Sequence, residues 1–200
     1  MNPAFRFSRS VFSAGGGRPS RRLAVLSLAA LFGLGGCAGV PVERYRAAQP
    51  TLDLAQYFNG TLDGWGMFQD RSGEVIKRFT VHIEARWEVR DGRPVGTLDE
   101  HFSWADGTTS RRIWTLVREG DGRYSGRADD VVGTARGEAA GNALRWRYVL
   151  ALPVDGKVWH VDFDDWMFLI DERVMLNRSA MSKWGVHLGE VTLSLARRAP

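Results

Sequence analysis

Apolar and polar residues alternate without a break in Phe79-Thr80-Val81-His82-Ile83-Glu84-Ala85-Arg86-Trp87-Glu88-Val89-Arg90. Every odd position of this segment is apolar and every even position is polar, so the pattern has a period of two. Because successive side chains of a β-strand point to opposite faces, one face of the segment is expected to be buried and the other wet. This pattern is typical of an antiparallel sheet that covers a core on one side.

Similar runs fill most of the chain on both sides of this segment. They lie at about 62–69, 96–104, 110–118, 123–128, 143–152, 157–169, 173–181 and 186–196. The strongest turn signals between them are Asp91-Gly92, Asp106-Gly107, Asp121-Gly122 and Asp155-Gly156. The sequence therefore predicts an all-β domain, an antiparallel up-and-down β-barrel of about 8–10 strands. A two-sheet sandwich fits the strand count too, but a consecutive series with tight corners favours closure, which removes exposed edges.

The N-terminus has the pattern of a secretory signal. Arg18, Arg21 and Arg22 precede the charge-free apolar run Leu23–Leu34, and small residues follow it. The run is too short to span a bilayer as a mature helix. The order of basic, apolar and small residues indicates a leader that is removed on export.

The only cysteine of the chain stands at the end of this leader. Cys37 closes the run Leu34-Gly35-Gly36-Cys37, and the two glycines leave room for the peptidase and the acyltransferase of lipoprotein maturation. We therefore expect residues 1–36 to be a cleaved lipoprotein signal peptide and Cys37 to carry the lipid anchor, with acyl chains such as palmitate. An ordinary signal peptide with an incidental cysteine is the alternative. Ala38 after the cysteine, rather than aspartate, favours the periplasmic face of the outer membrane.

Cleavage changes the charge of the chain. The leader contains five of the 27 basic residues and no acidic one, which leaves 22 against 23 acidic residues and a formal net charge of −1 instead of +4. Nucleic-acid binding needs a clustered basic stripe, and the remaining arginines are interspersed with acids. We therefore expect no nucleic-acid partner, while any protein partner stays unidentified.

The mature chain has the length of one domain. Residues 37–50 have no period and are expected to form the lipidated cysteine and a flexible tether, and residues 51–200 to form a single barrel. Within the start of the barrel, residues 52–58 are expected to form one helical turn capped by Thr51 or Asp53, before the turn at Asn59-Gly60.

Four blocks of sequence resemble one family of bacterial lipoproteins, that of domain of unknown function 3833. They are residues 57–70, 128–137, 141–148 and 160–183, and the similarity extends over about residues 52–196. The resemblance implies a lipocalin-like barrel. Members of the family are often encoded beside genes that resemble cyclopropane-fatty-acid synthases, which implies a link to lipid modification. A looser likeness is the Gly64-Trp65 pair, which resembles the Gly-x-Trp of the first lipocalin strand, where an arginine such as Arg178, Arg197 or Arg198 would cover the indole.

Eight tryptophans are many for one small domain, and each carries a large apolar surface. Most are expected to pack in the core. A barrel of about eight strands has room for side chains or for one small ligand, so some indoles are candidates for the wall of a cavity. The candidates are Trp65, Trp114, Trp146, Trp159 and Trp166.

Charged residues within apolar strands are candidates for polar contacts to a ligand. They are Arg145, Arg147, Asp162, Asp164, Asp165 and Arg178. Period two places Asp165 on the face of Val161 and Phe163, so it is expected to be buried and to need a partner. Candidate partners are Arg111, Arg112, Arg145, Arg147 and Arg178. Asp165 would pair with an arginine to fix strand register, orient the head group of an amphiphile, or act in acid–base chemistry.

No motif of a known catalytic or cofactor site is present. The chain lacks a Gly-x-Ser-x-Gly elbow, a phosphate loop, a His-Glu-x-x-His motif and a dinucleotide fingerprint. His82, His101, His160 and His187 form no compact ligand set, although Asp99-Glu100-His101 raises the possibility of a metal. Asp129-Asp130 beside Gly133 suits a turn or bulge. We expect no catalytic residue, metal or cofactor.

The sequence thus predicts an envelope lipoprotein that binds or carries a small hydrophobic or amphiphilic molecule in a barrel cavity. One alternative is an enzyme or accessory factor of fatty-acyl modification, with the carboxylate pair Asp164 and Asp165. Those two point to opposite faces of a strand unless a bulge intervenes. Another alternative is an envelope scaffold with a filled barrel and exposed aromatic residues on one outer face.

Overall fold

Ten antiparallel strands form a closed barrel in the computed structural model, which describes residues 39–154 and 156–199. The strands are β1 (Gly60–Asp70), β2 (Val75–Arg90), β3 (Arg93–Trp104), β4 (Thr109–Gly120), β5 (Arg123–Arg127), β6 (Val131–Ala140), β7 (Ala143–Val154), β8 (Lys157–Leu169), β9 (Val174–Lys183) and β10 (Val186–Arg197). A 3-10 helix (Val42–Tyr45) and a one-turn helix α1 (Leu54–Tyr57) precede them. The prediction of an up-and-down barrel is confirmed.

Every strand pairs with its neighbours in sequence, and the first pairs with the last. The closing ladder runs from Leu62 opposite Arg197 to Asp70 opposite Gly189. No sheet edge is left along β1 or β10, which protects the barrel from edge-to-edge association. The alternating segment at the centre of the sequence prediction is β2, whose Val81, Ile83 and Ala85 are buried as expected.

The predicted Asp-Gly corners form tight hairpins. Asp91 and Gly92 have φ angles of 51° and 74°, and Asp121 and Gly122 have 50° and 71°. Two consecutive left-handed residues are the geometry of a type I′ turn, which matches the twist of the flanking strands. Gly107 and Gly156 also have positive φ angles, while Asp155 lies outside the described residues.

The alternating segments of the sequence predict nine strands, and β6 is the strand that they do not include. Its pairing with β7 is interrupted between Val132 and Arg136, where a bulge includes Gly133 with a φ angle of 74°. Glycine and alanine make up half of this strand, so its alternation is faint. Asp129 and Asp130 lie in the turn before β6, as predicted.

Helix α1 covers one end of the barrel, called here the closed end. The Asp53 side chain accepts a hydrogen bond from the Ala55 backbone N–H at 2.8 Å, as an N-cap does. The hydroxyl group of the buried Tyr57 lies 3.2 Å from the backbone carbonyls of both Arg173 and Leu195, which share its single proton. Trp87 donates from its indole N–H to the Phe58 carbonyl at 2.9 Å. These bonds tie α1 to the ends of several strands.

The segment before α1 differs from the predicted flexible tether. Val42 is buried, and the Tyr45 ring meets the rings of Trp166 and Phe168 on the outside of β8, at 5.8 and 5.0 Å between centroids. Residues 41–50 therefore pack on the barrel, and Pro41–Pro200 forms one compact unit. Their apolar side chains are too few and too widely spaced for the sequence to show this.

Cys37 and the leader lie outside the described residues. Among residues 39–154 and 156–199, no helix combines the length and apolarity needed to cross a bilayer.

Candidate cavity site

The barrel encloses a cavity of about 540 Å³. Its floor is formed by Leu54 and Phe58 near the closed end, and its mouth lies at the opposite end, beside Thr108 and Pro153. Most of the wall is apolar. The largest wall side chains are Phe68, Phe79, Phe102, Trp104, Trp114, Trp146, Tyr148 and Phe163.

Several strands contribute apolar wall because their alternation places every second residue inside. Phe79, Val81 and Ile83 face inward from β2, and Val191, Leu193 and Leu195 do so from β10. On β1, the inward positions between Leu62 and Phe68 are Gly64 and Gly66, where the Val81 and Phe79 side chains occupy the space that a β-carbon would need. The wall on this side therefore carries no charged group until Lys77 at the mouth.

A polar cluster interrupts the apolar wall on the other side. Arg112 on β4 donates three hydrogen bonds to the Asp130 carboxylate, with distances of 2.7–3.0 Å. Arg112 Nη1 also lies 3.9 Å from Glu100 Oε2 on β3. Tyr148, Asp165, Asn177 and Ser179 complete the cluster from β7, β8 and β9.

The Arg112–Asp130 ion pair lies beside the part of β4 that, among the residues described, has no neighbouring strand on the β5 side. β5 is short and pairs only with positions 115–120 of β4, so positions 109–114 have no strand partner on that side within the described chain. Asp130 lies in the turn between β5 and β6 and accepts the backbone N–H of Ala151 at 2.8 Å through its carbonyl. Its carboxylate reaches across the gap, so the ion pair joins two parts of the wall.

Asp165 is the most isolated charged group of the cluster. The residue is 5% exposed, and its Oδ1 atom has no hydrogen-bond partner among the described residues. Burial raises the pKa of the Asp165 carboxyl to about 7, and the hydroxyl groups of Ser179 and Tyr148 offset only part of this effect. The Asp165 carboxyl group therefore titrates near neutral pH, and its Oδ1 atom is free to accept a hydrogen bond from a molecule in the cavity.

Burial perturbs the other titratable groups of the cluster as well. It raises the pKa of Glu100 to about 7, against the opposing effect of Arg112 and with a smaller contribution from Asp130 and Asp165. Burial would lower the pKa of Arg112, but the Glu100 and Asp130 carboxylates outweigh it and raise that pKa. Arg112 therefore stays a cation. Burial also raises the pKa of Tyr148 well above its usual value, so the phenol stays protonated.

The two cations that belong to the described cavity lining near the mouth, Lys77 and Arg111, are engaged with carboxylates. Lys77 Nζ lies 3.0 Å from Asp106 Oδ2 and 4.4 Å from the centre of the Trp104 ring. Arg111 donates two hydrogen bonds to Asp99, at 2.7 and 2.5 Å. Exposed apolar side chains surround this end on three neighbouring hairpins. They are Val75, Ile76, Val154, Val158, Trp159, Trp184, Val186 and Leu188.

Comparison with known families identifies this barrel. The model of the family described as protein of unknown function (DUF3833) matches residues 31–197. The chain belongs to the DUF3833 family. The resemblance seen in the sequence blocks is thereby confirmed. No curated protein matches the chain.

Solved structures share the DUF3833 fold at low sequence identity. The S-type phycobiliprotein lyase CPES from Guillardia theta is 6% identical, with a TM-score of 0.59 over 80% of this chain and 99% of the lyase. A protein of unknown function from the DUF3598 family of Nostoc punctiforme is 15% identical, with a TM-score of 0.50 over 80% of this chain and 53% of that one. These likenesses support a lipocalin-like barrel and show the fold alone.

Two of the five tryptophan candidates line the cavity of this DUF3833 barrel, namely Trp114 and Trp146. The other three are corrected. Trp65 is 55% exposed and lies on the outer face of β1, because the inward positions there are the even ones. Trp166 lies on the outer face of β8 beneath Tyr45. Trp159 has the inward parity but stands beyond the cavity, 41% exposed, with Lys183 Nζ 4.7 Å from its ring.

Among the charged candidates, Asp165 alone lines the cavity. The inward face of β8 is its odd face, so Asp162 and Asp164 point outward. Asp164 accepts two hydrogen bonds from Arg145 on the outside of β7, at 2.8 and 2.5 Å. Asp164 and Asp165 therefore point to opposite faces of β8 and cannot act as a catalytic carboxylate pair.

The remaining charged candidates form ion pairs on the outer surface. Arg147 pairs with Glu138 at 3.4 Å. Arg178 donates to both carboxylate oxygens of Glu190. Neither residue lines the cavity.

Glu100, Arg112 and Asp130 are site residues that the sequence did not assign to the cavity. Glu100 stands between the inward-facing Leu98 and Phe102, so alternation along β3 carried a signal for it. Arg112 was only one of five candidate partners for Asp165, and Asp130 was assigned to a turn. The histidines lie elsewhere: His82 contacts Asp63 at 3.0 Å and His101 contacts Asp99 at 3.1 Å. Within the described residues, no group of three potential ligands could hold a metal ion.

Proposed function

We propose that this protein binds and carries a small amphiphilic molecule in the barrel. The observation that carries the proposal is the cavity of about 540 Å³, with an apolar wall, one polar cluster and a mouth at one end. Ligand sites in proteins typically have roughly 300–1,000 Å³, a mostly apolar lining and a few convergent polar groups. An envelope scaffold with a filled barrel would not contain a cavity of this size.

The arrangement of the wall favours an elongated ligand with one polar end. Its apolar part would lie against Phe79, Val81 and Leu193, on the side of the barrel that carries no charged group. Its polar end would meet the cluster of Glu100 and Asp165. Exposed apolar residues around the mouth would let the apolar part enter without crossing a charged ring.

In the same proposal, the carrier is an envelope lipoprotein anchored through Cys37. The support is the leader of basic, apolar and small residues that ends in Leu34-Gly35-Gly36-Cys37. Ala38 after the cysteine favours the periplasmic face of the outer membrane. An anchored carrier would stay near the lipids from which an amphiphile would come.

The test of binding uses two adjacent residues of β9. Ser179 is buried and lines the cavity, whereas Ala180 points to the outside. We expect Ser179→Phe to weaken binding of the neutral probe N-phenyl-1-naphthylamine by about ten-fold, and Ala180→Phe to leave it unchanged. The measurement is probe fluorescence on the mature chain exported without lipid, which avoids detergent. Native mass spectrometry of the same protein, purified gently, would show any ligand carried from the host.

Circular dichroism of both variants checks that they fold. The proposal fails if the wild-type protein does not bind the probe, or if both phenylalanine variants bind it as the wild type does.

A further inference from the structure

We propose that the polar end of the ligand is a cation, so that the cavity selects an amphiphile with an amine or ammonium head group. The inference rests on the proposed function and names the class of molecule that the same cavity takes. It comes from comparing which charged groups around the cavity are already paired and which are not.

Within the described chain, the three cations of the cavity lining, Lys77, Arg111 and Arg112, each have a carboxylate partner. Arg112 gives three hydrogen bonds to Asp130, Arg111 gives two to Asp99, and Lys77 contacts Asp106 and the Trp104 ring. An anionic head group would have to compete with a carboxylate for each of them. This competition is most unfavourable at Arg112, whose side chain is 22% exposed, because a partly buried ion pair is costlier to break than the exposed pairs of Lys77 and Arg111.

Two carboxyl groups are not paired to the same degree. Asp165 Oδ1 has no hydrogen-bond partner within the described chain, although the residue is 5% exposed. Among residues 39–154 and 156–199, the ion-pair partner of Glu100 is Arg112 at 3.9 Å, and the other nitrogens of Arg112 bind Asp130. A buried acceptor without a donor costs free energy, and a bound cation with N–H groups would supply the donor and the charge.

The other strands offer nothing that would reverse this preference. The cavity-facing groups are apolar on β1 and β10, and on β2 they are apolar below Lys77. The inward residues of β7, β8 and β9 include Tyr148, Asp165, Asn177 and Ser179, none of which is a cation. The cluster therefore has three carboxyl groups, Glu100, Asp130 and Asp165, against the one guanidinium of Arg112.

The experiment compares three ligands that share a ten-carbon chain and differ only in the head group. Decylamine, decanol and decanoate are used to displace the neutral probe N-phenyl-1-naphthylamine at pH 8, below their aggregation concentrations. We expect decylamine to bind at least about ten-fold more tightly than decanoate and more tightly than decanol. The alkylammonium group stays charged at this pH, as lysine does.

Three variants test whether Asp165 and Glu100 cause the preference for decylamine. Asp165→Asn and Glu100→Gln remove one carboxylate each, and we expect each to reduce the preference for decylamine over decanol by about ten-fold. Asp162→Asn changes an exposed carboxylate on the outer face of the same strand as Asp165, so we expect it to bind like the wild type.

The outcomes separate this inference from the proposed function. If decanol and decanoate bind and decylamine has no advantage, the carrier proposal stands and the cationic head group is wrong. If none of the three ligands displaces the probe, the carrier proposal itself fails. If the preference for decylamine persists unchanged in both Asp165→Asn and Glu100→Gln, the polar cluster is not its origin.

Discussion

The indole ring of Trp146 lies directly against the bare backbone of Gly126. A β-carbon at Gly126 would come within 2.5 Å of Cζ2 of that ring. The same indole also lies over Gly137, so one side chain of β7 covers two neighbouring strands. β5 is the shortest strand of the barrel, and this contact packs it against β7.

A methyl group at Gly126 should therefore destabilise the barrel. We expect Gly126→Ala to lower the free energy of unfolding by about 1–3 kcal/mol, the usual cost of overpacking a filled site. Urea denaturation followed by tryptophan fluorescence measures it. Gly39→Ala is the matched control, since a β-carbon there meets no atom within 4 Å. Equal stability of the Gly126 variant and the wild type would contradict the packing.

The buried Asp165 should make stability fall as pH rises. Burial raises its pKa in the folded state to about 7, above the ordinary value of 3.8 for an aspartate. Its contribution is therefore complete at pH values below about 4 and is lost as the pH rises through 7. We expect Asp165→Asn to gain about 2 kcal/mol relative to the wild type between pH 5 and pH 8, or about 4–8 °C in Tm.

Thermal unfolding at the two pH values measures this gain. Asp162→Asn, which changes an exposed group, should show no such difference. Glu100 acts with the same sign as Asp165, so the wild-type protein should still lose stability with pH in the Asp165→Asn variant, by a smaller amount. A constant difference between Asp165→Asn and wild type across the range would disprove the assignment.

The affinity for an alkylamine should depend on the ionisation of the carboxyl groups of Glu100 and Asp165. Burial raises the pKa values of Glu100 and Asp165 to about 7 each, so both are mostly ionised at pH 8 and mostly protonated at pH 5. We expect the affinity for decylamine to fall by about ten-fold between pH 8 and pH 5, and that for decanol to change little. Probe displacement across the range is the measurement. Parallel pH profiles for the two ligands would contradict it.

The Tyr57 hydroxyl group should stabilise the fold through its contacts at the closed end of the barrel. Tyr57→Phe removes its bonds to the carbonyls of Arg173 and Leu195, and we expect a loss of about 1–2 kcal/mol in the free energy of unfolding. Chemical denaturation gives the value. Tyr45→Phe is the control, because the Tyr45 contacts are made by its ring. If both variants lose the same free energy, the hydroxyl bonds of Tyr57 are not the cause.

Replacement of Cys37 should abolish lipid attachment. Cys37 is the only cysteine of the chain, so Cys37→Ser leaves no other thiol for the acyl anchor. We expect the wild-type protein expressed in a bacterial host to incorporate labelled palmitate and the variant to incorporate none. Labelling of the variant, or absence of labelling in both, would rule out the lipoprotein prediction.

The barrel could be predicted from β2 and the Asp-Gly turns because local chemistry dictates both. Alternation in β2 gives the buried face directly, and Asp91-Gly92 tolerates the left-handed backbone that a two-residue hairpin needs. β6 was missed because Gly133 and a run of small residues leave little contrast between its faces. Trp146 on the next strand packs over Gly137 of β6, and this tertiary contact is not visible in the sequence pattern.

The cavity site could be predicted only in part, for a physical reason. Both faces of β8 carry aromatic and acidic residues, so alternation groups Asp165 with Phe163 but does not show which group faces inward. Trp166 is equally apolar, yet it is covered by Tyr45 on the outside. The cluster of Glu100 and Arg112 depends on the register that places these two opposite each other in the β3–β4 ladder, and only the folded barrel supplies it.

The described chain reaches the barrel at its closed end, where Leu52 donates its backbone N–H to the Gly141 carbonyl and α1 begins. Residues 41–53 therefore lie at the end of the barrel opposite the cavity mouth. In the proposed carrier, a molecule that leaves through the mouth would therefore not pass the segment that precedes α1.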